Sequence, residues 1–255
     1  MHDTKRPRVA PPVPILTGDA YEQIYLVLAS LFIASLVACN LIFQKFFMLE
    51  IPLPGGGSYT FRQSVGILAY PLTFLVTDIL SEIYGARRAN QVVLAGLIAS
   101  VFTTGLVEIS DLSKSAEFGI GDATFHQVFG LSKIAVFASM MAYLTAQFID
   151  IRLFHFWKRL TKGKHLWLRN NASTITSQTV DTFVVLALLA AFNAGGITWD
   201  NLPSLLIDGL LFKWTCALLD TPIIYAAVTT LKKKFPEQTA IVDAQEAGIA
   251  GQALL

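Results

Sequence analysis

Four aspartates lie inside apolar stretches of this 255-residue chain, in similar local settings: Val76-Thr77-Asp78-Ile79, Phe148-Ile149-Asp150-Ile151, Thr179-Val180-Asp181-Thr182 and Leu218-Leu219-Asp220-Thr221. A carboxylate within hydrocarbon costs kilocalories unless it is paired or wetted, so such groups mark an internal polar site. Asp78 and Glu82 stand four residues apart and share one helical face. Gln178 and Asp181 share another face, about 13–18 Å beyond Arg169 at 1.5 Å per residue, near mid-membrane. Lys213 and Asp220 are two turns apart. Lys213 is the basic residue well inside an apolar segment, where it either neutralises a buried aspartate or holds a substrate carbonyl or gates a proton.

The remaining polar residues are weighed in the same way. Glu82 either pairs with Arg87 and Arg88 or serves gating or coupling. Asp150, beside Arg152, reads as interfacial and adequately explained by solvation or local pairing. Asn40, near the end of the first apolar segment, is a gate residue or a helix cap. The stretch from Ser173 to Gln178, which includes Thr174, is too polar to face lipid and either lines a cavity or packs closely against another helix. His126, His155 and His165 fall in or near loops with no His-Glu-x-x-His pattern, and no Ser or Cys stands in a nucleophile motif, so an intramembrane enzyme is the weaker reading. Cys39 and Cys216 read as buried free thiols. No metal site and no cofactor are expected.

These groups need long apolar elements to hold them. Hydrophobic residues make up 54% of the chain and charged residues 15%, against roughly a quarter charged in soluble domains. The apolar residues fall into blocks long enough to cross a bilayer, at about 24–43, 62–83, 89–109, 130–150, 173–193 and 205–230. Pro71 interrupts the second block, a feature that in transporters often bounds a binding site. The segments Gln147-x-x-Asp150 and Gln178-x-x-Asp181 hint at a short internal repeat. Between the first two blocks, the run from Ile51 to Thr60 carries Pro52, Pro54 and three glycines and reads as a hairpin or turn, either a lid or a connector. The third loop, with Glu117, Gly119, Gly121 and Asp122, reads as exposed to water.

Loop charges orient the bundle. Fourteen Lys and Arg fall on the side of the two tails and the loops around Arg87 and residues 152–169; four fall on the other side. The positive-inside rule then puts both termini in the cytoplasm. The expected fold is an all-α integral membrane protein, a six-transmembrane-helix bundle. Its parts are a mobile cytoplasmic tail at 1–23, a transmembrane domain at 24–231 and a cytoplasmic tail at 232–255. Asp19 and Glu22 argue against a secretory signal, and cleavage at the lipoprotein-like Leu36-Val37-Ala38-Cys39 would delete the first span. No basic surface suits nucleic acid.

The segment Tyr70-Pro71-Leu72-Thr73-Phe74-Leu75-Val76-Thr77-Asp78-Ile79-Leu80-Ser81-Glu82-Ile83-Tyr84-Gly85 resembles the hallmark of the bacterial queuosine precursor transporters, also called the vitamin uptake transporter family. So do Leu166-Trp167-Leu168-Arg169-Asn170-Asn171-Ala172-Ser173-Thr174, Ser177-Gln178-Thr179-Val180-Asp181-Thr182, and Lys213-Trp214 with Asp220-Thr221-Pro222. The resemblance spans roughly Tyr25 to Leu231. It implies import of 7-deazaguanine bases such as preQ0 and preQ1, or of queuine, across the bacterial inner membrane by alternating access.

On that footing the substrate-binding candidates are Asp181, Gln178, Asp78, Lys213, Asp220, Thr174 and Asn171, with Glu82 and Asn40 as gating or coupling residues. An aspartate can accept two N–H groups of a guanine-like edge, and Gln178 or Lys213 can donate to the ring carbonyl. Asp78 and Asp220 are candidates for a cationic aminomethyl group, and Trp214, Phe183 or Tyr70 for stacking. The expected partners are the small base and membrane lipid; a homo-oligomer and a separate energising module both stay open. The rival reading is a substrate-capture subunit of an ATP-driven importer, since the chain has no Gly-x4-Gly-Lys-Ser/Thr loop of its own.

Overall fold

The computed structural model describes residues 20–43, 45–130, 133–162, 164–192 and 197–252. Up to residue 19, the expected N-terminal tail lies outside the described residues. The chain runs through α1 (Ala20–Ile42), a hairpin of β1 (Phe46–Pro52) and β2 (Ser58–Ser64), a 3-10 segment (Val65–Ala69), α2 (Tyr70–Tyr84), α3 (Ala86–Leu112), α4 (Asp122–Phe129), α5 (Lys133–Leu160), α6 (Leu166–Ala191), α7 (Leu202–Lys234) and α8 (Pro236–Gln252). Among the described residues, five helical stretches are long and apolar enough to cross a membrane: Ala20–Ile42, Val65–Tyr84, Ala86–Leu112, Leu166–Ala191 and Leu202–Lys234. The remaining expected span, 130–150, overlaps α5. Exposed Leu94, Ile98, Phe102, Leu211 and Leu218 give the bundle the apolar exterior that lipid requires.

Pro71 opens α2 instead of breaking it. Its fixed φ and missing N–H suit the first turn of a helix, and the residues before it form the 3-10 segment. The second span is therefore discontinuous, as the sequence suggested, with the change of helix type one residue before Pro71. Gly85 turns the chain between α2 and α3 with φ +83°, a left-handed value that glycine adopts without strain. Pro222 sits inside α7, where it leaves the Leu218 carbonyl without its intrahelical donor.

Residues 46–64 form an antiparallel hairpin with Phe46 opposite Ser64 and Pro52 opposite Ser58, so the all-α expectation gains one two-stranded sheet. Gly55, Gly56 and Gly57 all have positive φ in its turn. Phe61 is buried between Phe47 and Phe212, which anchors the hairpin onto α7.

The larger hydrophobic cluster lies at the other end of the bundle. Phe32, Phe74, Leu80, Ile83, Ile151, Phe154 and Ile224 are buried there, from α1, α2, α5 and α7. Helices α1 and α3 meet where Gly96 faces Phe32: an added Cβ would stand 2.7 Å from Phe32 Cε1. Small residues let spanning helices approach to this distance. The same end is tied by polar contacts. Arg88 binds Glu22 through two N–H groups at 2.6 and 2.8 Å and stacks 4.2 Å above the Tyr25 ring. Tyr21 donates to the Ile83 carbonyl, and Tyr84 donates to the Tyr21 carbonyl. Of the expected buried thiols, Cys39 is buried and Cys216 is half-buried. His126 sits on the short helix α4 and His155 near the end of α5.

Candidate functional site

One face of α2 organises the interior. Tyr70, Phe74, Asp78 and Glu82 recur every four residues, so they descend one stripe over about 18 Å at the helical rise. Each polar member of the stripe meets a different partner from α5, α6 or α7, which divides the interior into layers from the hairpin end to the tail end.

The first layer is the hairpin's contact with α7. Tyr59 donates its hydroxyl to Asp208 Oδ1, and the Arg62 backbone N–H donates to Asp208 Oδ2 at 3.3 Å. That contact holds the Tyr59 phenol above its usual range, because the hydrogen bond to a carboxylate favours the protonated form. Gln63 Nε2 also reaches the Leu205 carbonyl at 3.5 Å.

Beneath the hairpin is a cavity of about 440 Å³, within the range of small-molecule sites (about 300–1,000 Å³). Its walls are mostly apolar, with Phe43, Val185 and Leu189 among them; Asn40, Gln63, Tyr70, Asp181 and Lys213 supply polar groups. At its floor Lys213 Nζ stands 2.6 Å from Asp181 Oδ2 and 4.5 Å above the Tyr70 ring. Asp181 is 1% exposed and Lys213 6%, so the pair is a buried salt bridge. Asp181 Oδ1 makes no hydrogen bond among the described residues, although the Tyr70 hydroxyl approaches the carboxyl.

The third layer joins α2, α5 and α6. The carboxyls of Asp78 and Asp150 lie within hydrogen-bonding range of each other. Thr174 donates to Asp78 Oδ2 at 3.2 Å and Ser177 to Asp150 Oδ1 at 2.8 Å. The fourth layer closes the tail end. Glu82 meets Lys232 at 2.7 Å and Lys158 at 3.7 Å, and both lysines also reach Asp243 on α8.

This arrangement sorts the sequence candidates. Asp181, Lys213 and Asn40 line the cavity. Gln178 is buried one turn below its wall, with Oε1 lacking a donor among the described residues. Asp78 and Thr174 join in the layer beneath. Asn171 donates to Thr221 Oγ1 at 2.8 Å, tying α6 to α7, while Asp220 is partly buried nearby on α7. Asn40 also donates to Ser100 Oγ at 3.4 Å. Tyr70 is the aromatic candidate on the cavity wall; Trp214 and Phe183 are 36% and 53% exposed on the outer surface.

Two expectations need correction. Asp150 is not solvated: it is 1% exposed, because α5 packs its face against α6 hydroxyls, and it is paired locally with Ser177. Glu82 binds Lys232 and Lys158, since Arg88 is occupied by Glu22. Lys213 takes one of the roles read for it, neutralising a buried aspartate, and the partner is Asp181 across helices. Sequence reasoning also missed Asp208. It stands only six residues after the start of α7, and the signal that could have found it was the same one used for the others: a carboxylate in an apolar run.

The sequence profile of the family described as "Putative vitamin uptake transporter" matches residues 64–227, well over half of the chain. The chain is 28% identical over 176 residues to a "Probable queuosine precursor transporter" of Bacillus subtilis strain 168, covering 68% of this chain and 73% of that one. It is 25% identical over 203 residues to a protein of the same description from Haemophilus influenzae Rd, covering 78% and 84%. A "Queuosine precursor transporter" of Escherichia coli K12 is 28% identical over 153 residues, covering 60% and 65%. No solved structure matches significantly.

Proposed function

The chain belongs to the vitamin uptake transporter family, and on that premise we propose that it imports queuosine precursors, 7-deazaguanine bases such as preQ0 and preQ1, by alternating access. It is a multi-pass protein of the bacterial inner membrane and a transporter, not an enzyme. In this reading six helices cross the membrane, α5 supplying the sixth, and both termini lie in the cytoplasm.

The observation that carries the reading is the cavity closed at its floor by Asp181 and Lys213. Asp181 has one oxygen on Lys213 and a second without a donor, so it can accept N–H groups of a purine-like edge. Lys213 can donate to a ring carbonyl, and Tyr70 offers a face for stacking. The positive-inside orientation puts the hairpin and the cavity on the outer side. It puts the Glu82, Lys158, Lys232 and Asp243 cluster on the cytoplasmic side. The arrangement supports an outward-facing state, with the cavity toward the exterior and ion pairs drawn together at the cytoplasmic end.

The test is uptake of labelled preQ0, preQ1, queuine and guanine by cells lacking both synthesis and import of these bases, with this gene expressed alone. Accumulation of a deazaguanine that Asp181→Asn abolishes at normal membrane levels supports the reading. Accumulation only on addition of a separate ATPase module would favour the substrate-capture alternative.

A further inference from the structure

Asp78 and Asp150 present an unusual balance of donors and acceptors. They come from α2 and α5 and are 2% and 1% exposed. Thr174 satisfies one oxygen of Asp78 and Ser177 one oxygen of Asp150; the Ser173 and Thr174 hydroxyls are also within reach of Asp150. The oxygens left over, Asp78 Oδ1 and Asp150 Oδ2, are buried and receive no donor among the described residues. Two carboxylates in such contact repel strongly when both are ionised, and a buried acceptor without a donor costs about 1–3 kcal/mol. A single proton held between the two carboxyls removes both penalties.

The surrounding charges do not supply another answer. On α6 the facing groups are the neutral hydroxyls of Ser173, Thr174 and Ser177. From α7 the nearby charge is Asp220, a third carboxylate. One turn further along α2 stands Glu82, bound to Lys158 of α5 and Lys232 of α7. Gln147, one turn away on α5, takes its donor to the Tyr143 hydroxyl at 2.8 Å. Lys213, in the layer above, is engaged by Asp181.

We infer that Asp78 and Asp150 form a proton-binding site, and that the proton they share is the coupling ion for transport. The inference rests on the transport reading above and adds its energy source. The site lies between the base-binding floor and the cytoplasmic ion cluster, and its members sit on α2, α5 and α6. Opening the cytoplasmic end by parting Glu82 of α2 from Lys158 of α5 shifts α2 against α5 and so separates the two carboxyls. Water then reaches them, both ionise, and the proton leaves toward the cytoplasm. Return to the outward-facing state brings them together and takes up another proton. Direct carboxyl contact favours a proton over sodium, which needs a shell of separated oxygens.

Two measurements test this. In proteoliposomes with the membrane potential clamped at zero, one proton per neutral preQ0 allows a one-unit pH gradient to concentrate the base at most about tenfold. Wild-type protein is expected to approach that ratio. Asp150→Asn is expected to retain preQ0 exchange without a gradient, within about threefold of wild type, while its accumulation falls to about one. Wild-type accumulation that stays at about one under a proton gradient, or that a sodium gradient drives instead, overturns the proton site while leaving the transport reading intact.

Infrared spectroscopy of purified protein reads the pair without substrate. Wild type is expected to show a protonated carboxyl band at neutral pH that Asp150→Asn removes. A wild-type spectrum from which Asp150→Asn subtracts no such band overturns the inference, even where exchange of every base is absent and the transport reading has failed for its own reason.

Discussion

Lys213 and Asp181, 32 residues apart in the chain, meet at 2.6 Å at the floor of the cavity, both almost fully buried. Removing one partner of such a pair leaves an uncompensated charge and costs about 3–5 kcal/mol, whereas replacing both is far cheaper. Asp181→Asn is therefore expected to lower thermal stability, and Asp181→Asn with Lys213→Met to recover most of it. Neither variant is expected to regain transport. A charged hydrogen bond contributes about 1.5–3 kcal/mol, so base binding should weaken about 10- to 100-fold. Melting curves and equilibrium binding of preQ0 check the two effects separately.

The hairpin is held over the cavity by Tyr59 and the Arg62 backbone, both on Asp208. Tyr59→Phe or Asp208→Asn is expected to loosen it, and modification of a cysteine introduced by Gln63→Cys should accelerate several-fold. Bound preQ0 should slow that modification. Equal rates in all backgrounds would mean that the hairpin does not cover the cavity.

Tyr59 also makes a pH statement. Its phenol is raised by the Asp208 carboxylate, so the protonated, donating form extends beyond the ordinary tyrosine range near about 10. The contribution is present below the unfolded value and is lost only as pH rises through the higher folded one. The tyrosinate absorbance difference between wild type and Tyr59→Phe should titrate above that of free tyrosine, and Asp208→Asn should bring it back.

Glu82 is 2% exposed and shared by Lys232 and Lys158, while Asp243 is reached from the surface. Glu82→Gln is expected to destabilise the tail end by about 1–3 kcal/mol, and Asp243→Asn by less, because exposed pairs contribute only about 0–1 kcal/mol. If that end is the cytoplasmic gate, Glu82→Gln should also speed modification of cysteines introduced beneath it. The measurement is labelling from the cytoplasmic side of inverted vesicles.

Gly96 has no room for a larger residue against Phe32. Gly96→Leu is expected to separate α1 from α3 and reduce the amount of folded protein, with Phe32→Ala in the same chain partly restoring it. Size-exclusion profiles of the detergent-solubilised variants give the comparison.

The chain's own residues already determine much of this protein. Long apolar blocks dictate membrane-spanning helices, because only a continuous run of such residues is stable in hydrocarbon. Buried aspartates are visible for the same reason, as rare charges in those runs. The family follows from motifs that are contiguous in the chain, and Pro71 marks the discontinuity in the second span. What a linear reading lacks is direction around the helix axis. In lipid an outward face is as apolar as a packed one, so periodicity does not say which side of α5 holds Asp150 or which side of α6 holds Gln178. Partner choice is the other gap. Lys213 read as neutralising a buried aspartate without the chain saying which, and Glu82 had two arginines just ahead in the chain. Tertiary packing gave Lys213 to Asp181 and Arg88 to Glu22, because opposite charges are matched by spatial proximity within a shared low-dielectric interior and not by nearness in sequence. The same packing brought Asp78 and Asp150 together, two carboxyls 72 positions apart whose contact no local pattern records.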